Sequence, residues 1–152
     1  MSASDESDAV VGTRIKENVR IVLRGPDGQV KDVREFANTV TTAGKNACAD
    51  QILAAPTLVK PTHMAIGTGS PAATLLGAEV ARVAFTTKTR STNVVTMVGD
   101  FPAGTGTGAI TEAGVFNVVT ANTIDMYLSA SFSVINKGAA DSLSISWTLT
   151  FS

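Results

Sequence analysis

The sequence predicts an all-β fold: an antiparallel β-sandwich or jelly-roll-like barrel with one short helix and an extended N-terminal arm. Three observations predict it. The last stretch alternates without a break, with Leu143, Ile145, Trp147, Leu149 and Phe151 apolar and Ser142, Ser144, Ser146, Thr148, Thr150 and Ser152 hydroxylated. A period of two belongs to a strand with one buried and one wet face. The composition agrees: only 16% of residues are charged, and 20 Thr, 12 Ser and 13 Gly fill the space that helices give to Lys and Glu. The chain also breaks into eight or so short strand-like runs separated by turn residues, with one convincing helix, which is the pattern of a sandwich or barrel.

Residues 1–12 form the expected arm. They hold Asp5, Glu6 and Asp8, no basic residue and no periodicity, so they read as a flexible segment. Residues 13–152 read as a single β-sandwich domain, which begins with a charged hairpin over 13–36. There Val19, Ile21 and Leu23 alternate with Arg20, Val22 and Arg24, and Gly25-Pro26-Asp27-Gly28 makes a turn. Gln29 to Arg34 is then the returning strand. Arg14, Lys16, Arg20, Arg24, Lys31 and Arg34 outnumber the four acids of this segment, so its sign is opposite to that of the arm.

The helix is expected from about Thr42 to Ala55, capped by Thr41 or Thr42, rich in Ala, and stopped by Pro56. Ala47, Cys48, Ile52 and Leu53 give it one apolar face. A short strand follows over Thr62–Ile66, then the loop Gly67-Thr68-Gly69-Ser70-Pro71. Val80 to Thr89 and Asn93 to Phe101 read as two strands joined near Ser91. After the Gly-rich stretch from Pro102 to Gly108, a strand covers Ile110 to Val119. Met126, Leu128, Ala130, Phe132 and Val134 alternate with Tyr127, Ser129, Ser131 and Ser133, and Asn136-Lys137-Gly138 turns that strand into the last one.

Nothing here signals catalysis. His63 is the only histidine, no nucleophile-elbow motif accompanies the many hydroxyls, and a partly buried His at a strand start is the simpler reading. Gly104-Thr105-Gly106-Thr107-Gly108 and Gly67-Thr68-Gly69 imitate phosphate loops, but Ala109 and Ser70 stand where a Walker loop needs Lys. These glycines read as positions that permit positive φ where loops cross between sheets. Carboxylates are dispersed, with no calcium-loop or zinc pattern, and the single Cys48 can form neither an internal disulfide nor a cysteine-based zinc site. Neither a metal nor a cofactor is expected. Glu79 and Arg82 suggest a solvated ion pair of little weight. Glu112, in a neutral stretch, suggests a carboxylate that accepts backbone N–H groups of the Gly-rich loop and holds it in place. A net charge of −1 gives a nucleic acid or an anionic membrane no electrostatic support. No apolar run reaches the ~18 residues of a membrane span, and the acidic start does not resemble a signal peptide, so the chain is expected to be soluble and intracellular at synthesis.

Several segments carry a resemblance when taken in order. They are Thr39-Val40-Thr41-Thr42-Ala43-Gly44, His63-Met64-Ala65-Ile66-Gly67-Thr68-Gly69 and Leu76-Gly77-Ala78-Glu79-Val80-Ala81-Arg82. Gly104 through Asn117, including Ile110-Thr111-Glu112-Ala113-Gly114, and Asn136-Lys137-Gly138-Ala139-Ala140-Asp141-Ser142-Leu143 complete the set. Over residues 38–152 the chain resembles small virion proteins of tailed bacteriophages. The resemblance implies a structural part of the particle, located on the virion, with no catalytic residues to transfer. The function expected is that of a capsid decoration (cement) protein. It would bind the major capsid protein on the outer surface of the head and associate with itself as a homotrimer or homodimer. Asp5, Glu6, Asp8, Arg14, Lys16 and Arg20 are the candidate partner contacts, because arm and hairpin carry opposite charge. The alternatives are a tail, baseplate or fibre-attachment component of the same fold and a carbohydrate-binding module. A sugar site needs an exposed aromatic platform; Trp147 falls on a core face, which leaves Tyr127 on the hydroxyl face.

Overall fold

A computed structural model of the chain describes residues 14–37, 39–118 and 126–152. It contains ten strands and one helix among those residues: β1 (Ile15–Arg24), β2 (Val30–Ala37), β3 (Thr39–Val40), α1 (Thr42–Asp50), β4 (His63–Gly67), β5 (Glu79–Ala84), β6 (Thr87–Ser91), β7 (Val94–Phe101), β8 (Gly108–Phe116), β9 (Met126–Lys137) and β10 (Ser142–Phe151). They form two five-stranded antiparallel sheets, a front sheet in the order β2-β1-β10-β7-β6 and a back sheet in the order β3-β9-β8-β4-β5. The sheets pack as a sandwich, as the composition and alternation predict.

The alternation of β10 is realised in full. Leu143, Ile145, Trp147 and Leu149 are buried between the sheets, and the intervening Ser and Thr residues lie half-buried on the outer side. The charged hairpin also forms. Gly28 takes φ +82°, and Gly25 N–H donates to Gln29 O at 2.9 Å to close the turn. The hairpin is no appendage: β1 pairs with β10 from Ile15↔Phe151 to Arg24↔Ser142, which makes β10 central to the front sheet.

Four expectations need correction. The helix ends at Asp50, not Ala55, because the Asp50 carboxylate accepts the N–H groups of Thr57 (3.1 Å) and Leu58 (2.9 Å) and bends the chain there. Ala47 and Cys48 therefore face inward, whereas Ile52, 88% exposed, and Leu53 lie beyond the helix on the surface. The run from Val80 to Thr89 is two strands in different sheets. Phe85 N–H donates to Thr62 O beside the back sheet, and the next residue, Thr86, donates to Val98 O in the front sheet. The hairpin with residues 94–101 is made by β6 alone.

Strand β9 departs from its simple alternation twice. At its start Phe116 pairs with Met126 and Val115 with Leu128, so one step of β8 opposes two of β9, and this bulge turns Tyr127 into the interior. Further on, Ile110↔Ile135 is followed by Glu112↔Ser131; the phase reverses, exposing Val134 and burying Ile135 and Lys137. Lys137 Nζ finds a partner in Pro102 O at 3.0 Å. The turn into the last strand falls at Gly138–Asp141, where the Asp141 carboxylate accepts Gly138 N–H at 2.8 Å and the chain crosses from back sheet to front. The fourth correction concerns Gly67 and Gly69, whose φ angles are not positive; Gly104, Gly106 and Gly108, on the crossing between sheets, do have positive φ as expected.

Candidate functional site

The outer face of the back sheet is covered. Ala65, Phe116 and Met126 pack there under Leu76, which the loop between β4 and β5 carries. Glu112 holds that loop. Its fully buried carboxylate accepts N–H groups from Gly69 (2.8 Å), Gly77 (2.7 Å) and Ala78 (2.7 Å). A Cβ on Gly67 would run into the Glu112 carboxylate and Ala78 O, so this glycine serves close approach. A loop anchor exists, but the loop it holds is the one over 68–78 and not the Gly-rich stretch over 102–108. Beside it Arg82 and Glu79 form a two-pronged pair at 2.6 and 2.9 Å, with side chains 3% and 2% exposed and the guanidinium 3.7 Å from the Phe116 ring centre. The pair is thus buried, and the expectation of a solvated contact was wrong, because sequence gives no sign that the loop and Phe116 close over it.

The outer face of the front sheet is different, since no element of the described residues packs across it. Down its middle runs the hydroxyl row Ser142, Ser144, Ser146, Thr148 and Thr150 of β10. Beside it β1 presents Lys16, Asn18, Arg20, Val22 and Arg24, in the register Lys16↔Thr150, Arg20↔Ser146 and Arg24↔Ser142. On the far side β7 adds Thr96, Val98 and Asp100. A shallow depression of about 380 Å³ lies over Val22 and the serines, with Arg20 and Arg24 on one wall and Asp100 on the other. Arg20 has Glu35 of β2 at 3.6 Å, both side chains about half exposed. Of the candidate contacts, Lys16 and Arg20 lie on this face, Arg14 is exposed just before it, and Asp5, Glu6 and Asp8 lie outside the described residues. The face can offer hydroxyls and guanidinium groups to an acidic or hydroxyl-rich surface.

A second surface was not found from sequence. At one end of the sandwich a cavity of about 540 Å³ opens between the sheets, floored by Ala47, Val95, Met97, Leu128, Leu149 and Phe151. Lys60, Lys88 and Arg90 stand at its mouth, and Cys48 is part of its wall. Lys88 Nζ donates to Pro61 O at 2.9 Å and Arg90 Nη1 to Thr92 O at 2.8 Å; among the described residues no carboxylate forms an ion pair with any of the three. Burial, and then the nearby Lys60 charge, hold the Lys88 ammonium below its ordinary value. The readable signal was Thr87-Lys88-Thr89-Arg90-Ser91: its alternation puts the two cations on the side where β7 has Val95 and Met97.

His63 Nδ1 lies 2.7 Å from Thr62 Oγ1, and burial followed by the Arg82 charge lowers its affinity for a proton. Tyr127 is 6% exposed, accepting from Asn117 Nδ2 at 2.9 Å and donating to Val59 O at 2.6 Å, so it offers no platform to a sugar. Every aromatic side chain is buried or half-buried. Among the described residues no three of His, Cys, Asp and Glu come together as metal ligands do. Comparison with protein-family models, curated proteins and solved structures finds no match to this chain.

Proposed function

We propose that this chain is a bacteriophage capsid decoration (cement) protein that binds the outer surface of the head and stabilises contacts between capsomers. The observation that carries the reading is the uncovered outer face of the front sheet, with its hydroxyl row and its line of Lys16, Arg20 and Arg24. Serine and threonine satisfy hydrogen bonds across an interface while costing little to desolvate, and three cations give the face a preference for an acidic partner. The ordered resemblance of residues 38–152 to small phage virion proteins supports the same reading. Many symmetry-related copies would add avidity to contacts that are individually weak.

The purified chain, co-sedimented with separated heads and tails, tests this. Saturable binding to expanded heads at many copies per particle is the expected result. Binding to tails alone would assign the chain to the tail as a baseplate or fibre-attachment part, and binding to neither would remove both readings.

A further inference from the structure

The cavity at the end of the sandwich is built as sites for small molecules are. Its volume of about 540 Å³ lies within their usual ~300–1,000 Å³, and a mostly apolar lining meets a few polar groups at the mouth. Ala47, Val95, Met97, Leu128 and Leu149 make the floor aliphatic. The mouth is basic: Lys60, Lys88 and Arg90 stand there, and no carboxylate of the described residues forms an ion pair with any of them. Lys88 and Arg90 each spend one N–H on a carbonyl, Pro61 O and Thr92 O, and keep further donors for an anion. Lys60 also repels Lys88, and a negative group between the two would remove that repulsion. Gln51 and Lys60 both line the cavity, so the loop between them starts and ends at its mouth, and that loop exposes Ile52, Leu53, Leu58 and Val59.

These features specify an occupant with one alkyl tail and an anionic head. We propose that the cavity binds a free single-chain fatty acid, with its tail on the aliphatic floor and its carboxylate against Lys60, Lys88 and Arg90. The exposed apolar residues of the loop after α1 extend the surface open to a longer tail. A hollow between two sheets takes in a tail singly, which separates this site from one that lies flat on a bilayer. The inference goes beyond the decoration reading and does not depend on it. Edge strands often carry inward charges to discourage pairing with other chains. That role would account for Lys88 and Arg90, which lie on the edge strand β6, and leaves Lys60 and the apolar hollow unexplained.

Cys48, the only cysteine, stands in the cavity wall and reports occupancy in the full-length chain. Dodecanoate, added below its micelle concentration, should slow the labelling of Cys48 by a neutral maleimide in a saturable way, and titration calorimetry should give one site per chain. Each CH2 removed from the tail should weaken binding about fourfold, so octanoate should bind far more weakly than dodecanoate. Lys60→Glu/Lys88→Glu/Arg90→Glu should weaken dodecanoate about tenfold or more and make dodecyltrimethylammonium the tighter ligand. All three positions are exposed, and an unchanged Trp147 emission spectrum confirms that the variant folds. No protection of Cys48 by dodecanoate, equal protection of the parent chain by dodecyltrimethylammonium, or indifference to reversal of the rim would overturn the proposal. Co-sedimentation with phosphatidylglycerol vesicles in the absence of any dodecanoate binding would also overturn it, and would assign the surface to a membrane.

Discussion

Glu17 enters the interior of the sandwich with one oxygen accepting from Trp147 Nε1 at 3.2 Å and the other, Oε2, without a partner. The residue is 7% exposed, and burial pushes its carboxyl up from 4.5 to about 7, against the smaller opposing effect of the Trp147 bond. Between those two values the folded chain holds a proton that the unfolded chain has released. Glu17 therefore favours the unfolded state increasingly as pH rises through this window, and the loss is complete above about 7. A Gln at this position cannot ionise. Glu17→Gln should gain about 2–3 kcal/mol relative to the parent chain between pH 5 and pH 8. Denaturant titrations of both chains at the two pH values measure the swing, and an unchanged difference would mean that Glu17 does not titrate in the core. The alternation that reveals β1 shows Glu17 in an apolar phase, between Ile15 and Val19, so its burial is readable from sequence. The missing second partner is not, since it depends on what α1 and β10 bring nearby.

At the scale of elements, the loop between β4 and β5 covers the back sheet because one carboxylate satisfies three of its N–H groups. Glu112→Gln would present an amide NH2 to donors that require an acceptor, at a cost of about 2–3 kcal/mol, or a fall of about 5–10 °C in melting temperature. Calorimetry checks this, and faster amide exchange at Gly69, Gly77 and Ala78 should accompany it. Strand identity was legible wherever the two-residue period ran unbroken, as in β1 and β10. It was misleading where the period changed hands between sheets: Val83-Ala84-Phe85-Thr86-Thr87 contains no turn residue, yet Phe85 and Thr86 bond to opposite sheets. The bulges of β9 hid Tyr127 and exposed Val134 for the same reason, because a bulge depends on the partner strand and leaves no local trace. The end of α1 was misplaced because Asp50 acts on residues seven and eight positions ahead. A helix-breaking residue at 56 was a weaker stop than a carboxylate that reached it first.

For the whole molecule, the two faces divide the labour. The back sheet is sealed by a loop and a buried ion pair, whereas the front sheet keeps a broad polar face with a basic margin. On the proposed decoration role, Arg20→Glu/Arg24→Glu should weaken binding to expanded heads by about tenfold or more, since each exposed pair contributes ~0.2–1 kcal/mol and the loss would repeat at every copy. Sedimentation over a range of salt concentrations would show it, and undiminished binding with an intact circular dichroism spectrum would remove this face from the interface. The basic row was legible as alternate residues of β1. The groove was not, because α1, the stretch before β4 and strands from both sheets build it together.

The position of β10 bears on how the chain is made. It is the last of the described strands and lies between β1 and β7 in the front sheet, so the β1–β2 hairpin and the β6–β7 hairpin have no sheet to share until Ser142–Phe151 arrives. During translation β1 must wait with one unpaired edge until β10 is made, and closing that pairing spans almost the whole described chain. A ribosome that stops in the β9–β10 turn would release two half-sheets with open edges. Such a product would aggregate instead of keeping partial function, so a chain cut before Ser142 should yield no soluble protein rather than a smaller working part.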